Sequence, residues 1–285
     1  MVLSRTTAAG RESYARSDAL VDPAWLEEHL GDPGLRLIEV DVSPAAYGEG
    51  HIAGAQLWNI YRDLKTSGYE LVDEAAIEGL LARGGITPDS TVVFYGYAPA
   101  MGFWIMKLYG HRAVRILNCS RDIWHDEGRP WTTEVVAPAR SDYRLPPPDG
   151  HLRAGSSRVR DAIDDPTRTI LDVRSAAEFR GERFWPSGGA EAGGRAGHVP
   201  SAVFNPIEDL QDATGQFRSP ADLGERFATV DLSADREVIS YCAIGARACT
   251  AWFALTYLLG LEHVRVYDGS WAEWGRTASL PVETV

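Results

Sequence analysis

Along this chain, short apolar runs alternate with stretches in which apolar residues recur every three or four positions. The runs Leu37-Ile38-Glu39-Val40-Asp41, Val92-Val93-Phe94-Tyr95-Gly96, Ile170-Leu171-Asp172-Val173-Arg174 and Val238-Ile239-Ser240-Tyr241-Cys242 have the length and composition of buried strands. The amphipathic stretches 75–83, 102–109 and 248–259 read as helices. Asp22-Pro23 opens an earlier helix, with Asp as the N-cap and Pro at the first helical position. Alternation of this kind predicts an α/β fold, with mostly parallel sheets flanked by helices.

The pattern is written twice. Gly50-His51-Ile52-Ala53-Gly54-Ala55 answers to Gly197-His198-Val199-Pro200-Ser201-Ala202. The run at 92–96 answers to 238–242, residues 110–116 to 260–266, and Ser120 to Trp124 to Ser270 to Trp274. The features keep their order, so the chain is an internal duplication. His51 and His198 are therefore repeat equivalents, and no His or Cys spacing suits a metal. Residues 1–20 read as a disordered tail, 21–131 as the first domain, 132–150 as a stiff linker with Pro146-Pro147-Pro148, and 151–285 as the second domain. The Gly-rich insertion 181–197 reads as a surface loop.

Length and apolar content suit two domains with real cores. No apolar run approaches a membrane span, and residues 1–19 carry no secretory signal. Three cysteines, an odd and low count, fit free thiols in a reducing compartment, and the expected location is cytoplasmic. A net charge of −12 argues against nucleic acid or an anionic membrane as a partner.

The chemistry gathers at Cys242-Ala243-Ile244-Gly245-Ala246-Arg247. One thiol stands where a strand turns into a helix, predicted to begin near Ala248. Loop amides and a helix start offer N–H groups to an anion. Gly245 admits a backbone angle that a side chain resists, and Arg247 adds a permanent cation. Such surroundings favour thiolate, the nucleophilic form. In the first half Gly96 takes the place of Cys242 and the loop after it has no arginine, so one domain is competent and the other degenerate. Cys119 and Cys249 read as packed thiols.

In these residues the chain resembles the tandem rhodanese family, the thiosulfate and 3-mercaptopyruvate sulfurtransferases. The likeness spans about 22–281. Its markers are the Gly-His element in each half, Leu171-Asp172-Val173-Arg174, the loop 242–247, and Tyr267-Asp268-Gly269-Ser270-Trp271 with Trp274. The resemblance implies two tandem rhodanese-like domains, the second catalytic. It implies sulfane sulfur transfer through a Cys242 persulfide, with no separate cofactor, from a small anionic donor to a thiol or protein acceptor. Cys242 and Arg247 are then the catalytic residues. Arg174 and the loop residues Ala243, Ile244, Gly245 and Ala246 are expected to bind substrate, Asp172 to position the loop, and Tyr95 and Tyr97 to wall a cleft. Animal-type relatives often place a second arginine four residues after Arg174; here Glu178 stands there. Mercaptopyruvate enzymes carry a serine where this chain has Ile244. Both departures weaken the mercaptopyruvate reading, which stays as the alternative; Ala243, where the thiosulfate type commonly has an arginine, departs from the other type, with Arg247 partly restoring the charge, and thiosulfate is the expected donor. A phosphatase is the weaker rival, because its signature has five residues between Cys and Arg, and here there are four. A dedicated sulfur relay to one protein is the other alternative.

Overall fold

The computed structural model describes residues 13–188 and 191–285. It divides into two compact units. One comprises 18–150 with 213–216; the other comprises the described residues up to Ser17, 151–212 and 217–285.

The first unit is built on a five-stranded parallel sheet in the order Leu20–Val21, Val114–Leu117, Thr91–Gly96, Leu35–Asp41, Ala55–Asn59. Leu35–Asp41 and Thr91–Gly96 are central and buried along most of their length, which is why they read as continuous apolar runs. Helices Pro23–His29, Glu74–Arg83 and Pro99–Leu108 connect strands. Asp22 caps the first by accepting the Trp25 N–H at 2.8 Å, with Pro23 in the first turn. Pro99–Leu108 starts three residues earlier than its apolar period predicts, because Pro99 can open a helix where its missing N–H costs nothing.

The second unit repeats this plan. Its parallel sheet runs Val264–Val266, Glu237–Tyr241, Arg168–Asp172, Val203–Phe204. A parallel bridge from Arg153 to Val266 supplies the edge that Leu20–Val21 forms in the first unit. The duplication also reaches the returning segment. His51–Ile52 pairs antiparallel with Trp131–Thr132, and His198 forms an antiparallel bridge with Glu283. Each histidine is stacked on an aromatic ring, His51 on Tyr47 and His198 on Phe179, and reaches a backbone carbonyl through Nδ1. Both are braces for the chain.

One expectation is corrected here. Of the tail 1–20, residues 1–12 lie outside the described residues, but 13–20 are structured. The Tyr14 hydroxyl donates to the Phe217 and Arg218 carbonyls, Ala15 N–H donates to Leu258, and Ser17–Ala19 forms a 3₁₀ turn before Leu20–Val21. Ring burial and sheet pairing hold what composition alone marked as loose. The linker is stiff by attachment as well as by proline. Ser141 donates to the Ile86 carbonyl, Leu145 N–H donates to Glu78, and buried Tyr143 bonds His111. The described part of 181–197 is likewise anchored. Arg195 donates to the Leu280 and Thr277 carbonyls at 2.8 and 2.7 Å, and to Trp274 and Gly275 at longer range.

Candidate active site

Strand Glu237–Tyr241 ends at Cys242, and the following helix, Ala246–Phe253, begins inside the loop itself. This start is two residues earlier than predicted. Gly245 makes it possible by serving as N-cap in the left-handed region, at φ 92°. A Cβ there would come within 2.9 Å of the Asp268 carbonyl oxygen and 3.1 Å of Asp268 Cα. The loop is thus pressed against the segment that follows the next strand, and only glycine fits.

That segment also stitches the loop in place. Cys242 N–H donates to Ser270 Oγ at 3.1 Å, and Ser270 Oγ donates to the Tyr267 carbonyl at 2.8 Å. Trp271 N–H and Ala272 N–H donate to the carbonyls of Cys242 and Ala243, each at 2.9 Å. These donors belong to the first turn of helix Ser270–Trp274, where N–H groups lack partners within the helix. Ser270 itself sits at φ 53°, an uncommon angle for a residue with a side chain.

The Cys242 thiol is buried, and Gly245 N–H donates to its Sγ at 3.1 Å. The sulfur therefore faces an amide at the start of helix Ala246–Phe253. Ala243, Ile244 and Ala246 line the same loop and are each buried. Cys119 and Cys249 are free and buried.

The charged residues part from expectation. Arg247 was expected to hold the sulfur anion. Its guanidinium forms a two-pronged pair with Glu178, at 2.9 and 2.7 Å. Glu178 is fully buried and also accepts from Ser175 N–H (3.1 Å) and the Ser175 hydroxyl (2.7 Å), closing a capping box on helix Ala176–Phe179. Burial alone would raise the Glu178 pKa, but the Arg247 bonds and charge and the Ser175 donors hold it below the ordinary carboxylate value. Glu178 was not among the expected site residues; its signal was the Ser-x-x-Glu spacing.

Arg174, expected to bind substrate, lies in the core with no exposed side-chain surface. Its Nε and Nη2 donate to Asp172, Nη2 also reaches the Gly197 carbonyl, and the guanidinium stacks 4.5 Å from the Trp271 ring centroid and 5.4 Å from that of Tyr241. A cation this short of water needs a carboxylate and flat aromatic faces, which the core provides. Asp172, expected to position the loop, is fully buried at the end of strand Arg168–Asp172. It accepts Arg174 N–H and the Tyr241 hydroxyl, and Tyr241 in turn accepts Val199 N–H. A third pair, Arg153 with Asp268, lies next to Gly245, at 2.6 and 3.0 Å.

Tyr95, expected at a cleft wall, is also a core residue. It is fully buried, and its hydroxyl accepts Ile52 N–H at 3.1 Å, as Tyr241 does for Val199. The repeat that made Tyr95 conspicuous also makes it structural. Tyr97 is 59% exposed, so its ring is on the surface of the first unit. Trp58, Trp104, Trp271 and Trp274 are all core. Arg180 pairs with Glu182 and Arg183 donates to the Pro186 carbonyl. Among the described residues no His, Cys, Asp and Glu cluster could hold a metal ion.

The first unit has a carboxylate where the second has Asp172. Glu39 is fully buried, and among the described residues its oxygens have no hydrogen-bond partner of good geometry. Arg121 Nε stands 3.5 Å from it. Burial, the largest influence, raises the Glu39 pKa, opposed by the neighbouring Tyr95 hydroxyl and Arg121.

The comparisons agree with this architecture. The model described as "Rhodanese-like domain" matches residues 22–127 and again 156–277. This chain belongs to the rhodanese family, as a tandem of two such domains. It is 37% identical over 278 residues to "Sulfur carrier protein TtuD" of Thermus thermophilus, covering 94% of this chain and 98% of that one. It is 39% identical over 280 residues to "Putative thiosulfate sulfurtransferase" of Haloferax volcanii, covering 95% and 97%. Among solved structures it is similar to the anaerobic ergothioneine biosynthesis enzyme from Chlorobium limicola, with TM-score 0.84 over 98% of this chain and 73% of the other; at 21% identity this likeness speaks for the fold. Among the described residues no helix is long and apolar enough to cross a membrane.

Proposed function

We propose that this protein is a sulfurtransferase that carries sulfane sulfur on Cys242 and takes it from thiosulfate. The observation that carries the reading is the Cys242 thiol held at a strand-to-helix turn with Gly245 N–H donating to its sulfur. The Cys242 thiolate attacks the outer sulfur of thiosulfate. The Sγ–S bond forms, the S–S bond of the donor breaks, and sulfite leaves with its electron pair. The terminal persulfide sulfur then passes to cyanide, a thiol or a protein nucleophile, and the Cys242 thiolate is regenerated. The loop amides hold the charge as it moves from one sulfur to the next. No separate cofactor enters this cycle.

A second reading, relay to a dedicated protein acceptor, is favoured by one observation. The Arg247 charge is matched by Glu178, which weakens the case for a site built around a free dianion. The relative named as a sulfur carrier lends support.

Thiocyanate formation from thiosulfate and cyanide, with mercaptopyruvate as a parallel donor and Cys242→Ser as control, tests the proposal. Turnover that disappears in Cys242→Ser is the expected result. Folded protein that turns over neither donor would overturn the small-molecule reading. Transfer from persulfidated protein to a protein acceptor, with none to small thiols, would select the relay.

A further inference from the structure

Around the Cys242 loop three arginines meet three carboxylates: Arg247 with Glu178, Arg174 with Asp172, and Arg153 with Asp268. Each guanidinium meets its carboxylate through two nitrogens, so each of these three cations is offset by an anion. Two of the pairs hold a frame. Arg174–Asp172 is wholly internal, and Asp268 packs its backbone against Gly245. The Arg247–Glu178 pair differs. Arg247 belongs to the first turn of the helix that opens at the loop, and its side chain keeps 16% of its surface exposed while Glu178 keeps none.

We propose that Glu178 is a specificity-determining residue. By offsetting Arg247 it leaves the Cys242 loop with backbone dipoles but no net side-chain charge, and so reduces the site's preference for doubly charged over singly charged sulfur donors. The inference rests on the sulfur-transfer reading above. Amides and a helix start stabilise one negative charge at short range. A second charge on the donor, further from the sulfur, needs a full cation, and Glu178 competes for the one available on this loop. Glu178 therefore acts through Arg247 and touches no substrate.

Glu178→Gln isolates the charge. Glutamine also serves in a capping box, so Ser175 and the helix start keep their partner, and one oxygen remains for Arg247. The test uses two reagent pairs matched in shape and different in charge. Thiosulfate and methanethiosulfonate both deliver a sulfane sulfur, with sulfite or methanesulfinate leaving with the electron pair, but carry two charges and one. Iodoacetate and iodoacetamide both alkylate a thiolate with loss of iodide, but carry one charge and none; peptide mass mapping restricts the readout to Cys242. In Glu178→Gln the ratio of thiosulfate to methanethiosulfonate kcat/KM is expected to rise about tenfold, the order of effect of one unit charge a few ångströms away in a partly screened site. The iodoacetate to iodoacetamide rate ratio should rise severalfold. A structural role alone would lower both members of each pair together, and unchanged or lower ratios overturn the proposal. If wild-type protein turns over neither donor while the alkylation ratio still rises in the variant, the sulfurtransferase reading fails and the charge role of Glu178 stands.

Discussion

At the scale of single residues, the two buried carboxylates at equivalent strand positions have been solved in opposite ways. Asp172 has Arg174, two positions along its own strand end, and the Tyr241 hydroxyl. Glu39 has Arg121 at 3.5 Å and no well-formed hydrogen bond among the described residues. Arg174→Met should leave the Asp172 charge buried and uncompensated, at a cost of about 3–5 kcal/mol in denaturant unfolding. The KM for thiosulfate of the folded fraction should be unchanged, since Arg174 is a core residue; a large rise in KM would return it to the substrate site. Glu39 has its folded pKa raised by burial, so its ionisation costs stability once pH rises through the ordinary carboxylate value of 4.5 and on through the folded one. Glu39→Gln is therefore expected to stabilise the protein at pH 7, with the gain fading as the pH is lowered through the folded value towards 4.5 and gone below it. Melting curves across that range give the sign directly. Glu178 runs the other way. Its depressed pKa contributes stability above 4.5 that is lost as pH falls through the folded value.

At the scale of elements, the site is a loop whose shape is imposed from outside by the segment 267–272. Gly245→Ala would place a Cβ against Asp268 at a left-handed φ, and the loop must shift to accept it. The Gly245 N–H then leaves Cys242 Sγ. Thiocyanate turnover should fall by about a hundredfold, the usual cost of losing one preorganised donor, while circular dichroism remains native. Retention of full turnover would remove this amide from the mechanism. The strands, the thiol and the glycine were legible in the sequence because strand length, apolar content and a left-handed turn leave local marks. The partners of the arginines were not legible. Arg247 finds Glu178 sixty-nine positions away, and Arg174 ends between Tyr241 and Trp271, which only the closed sheet brings together. Tyr95 misled for a related reason, since position in a repeat marks an aromatic ring as equivalent without saying whether it faces core or solvent.

At the scale of the whole molecule, the duplication made the order of elements readable from end to end, in both halves. What composition obscured was the state of residues 13–20, where a few ring and backbone bonds outweigh a polar sequence. The net charge of −12 has its own consequence. With the arginines beside the loop matched by carboxylates, the overall field repels a dianion with little local correction. The KM for thiosulfate is expected to fall as ionic strength rises from about 10 mM to about 150 mM, because screening shortens the reach of that field. A KM that rises with salt would mean a local cation dominates the approach.

The hydrogen bonds from Ser270, Trp271 and Ala272 to the Cys242 loop have a consequence for how the protein is made. A chain emerging from the ribosome presents residue 242 well before residue 272. Until that last helix arrives, the loop carbonyls have no donors from it and the glycine turn has no wall to press against. The loop around Cys242 is therefore completed last, after the strands that carry it, and it stays unbraced until the domain is nearly whole.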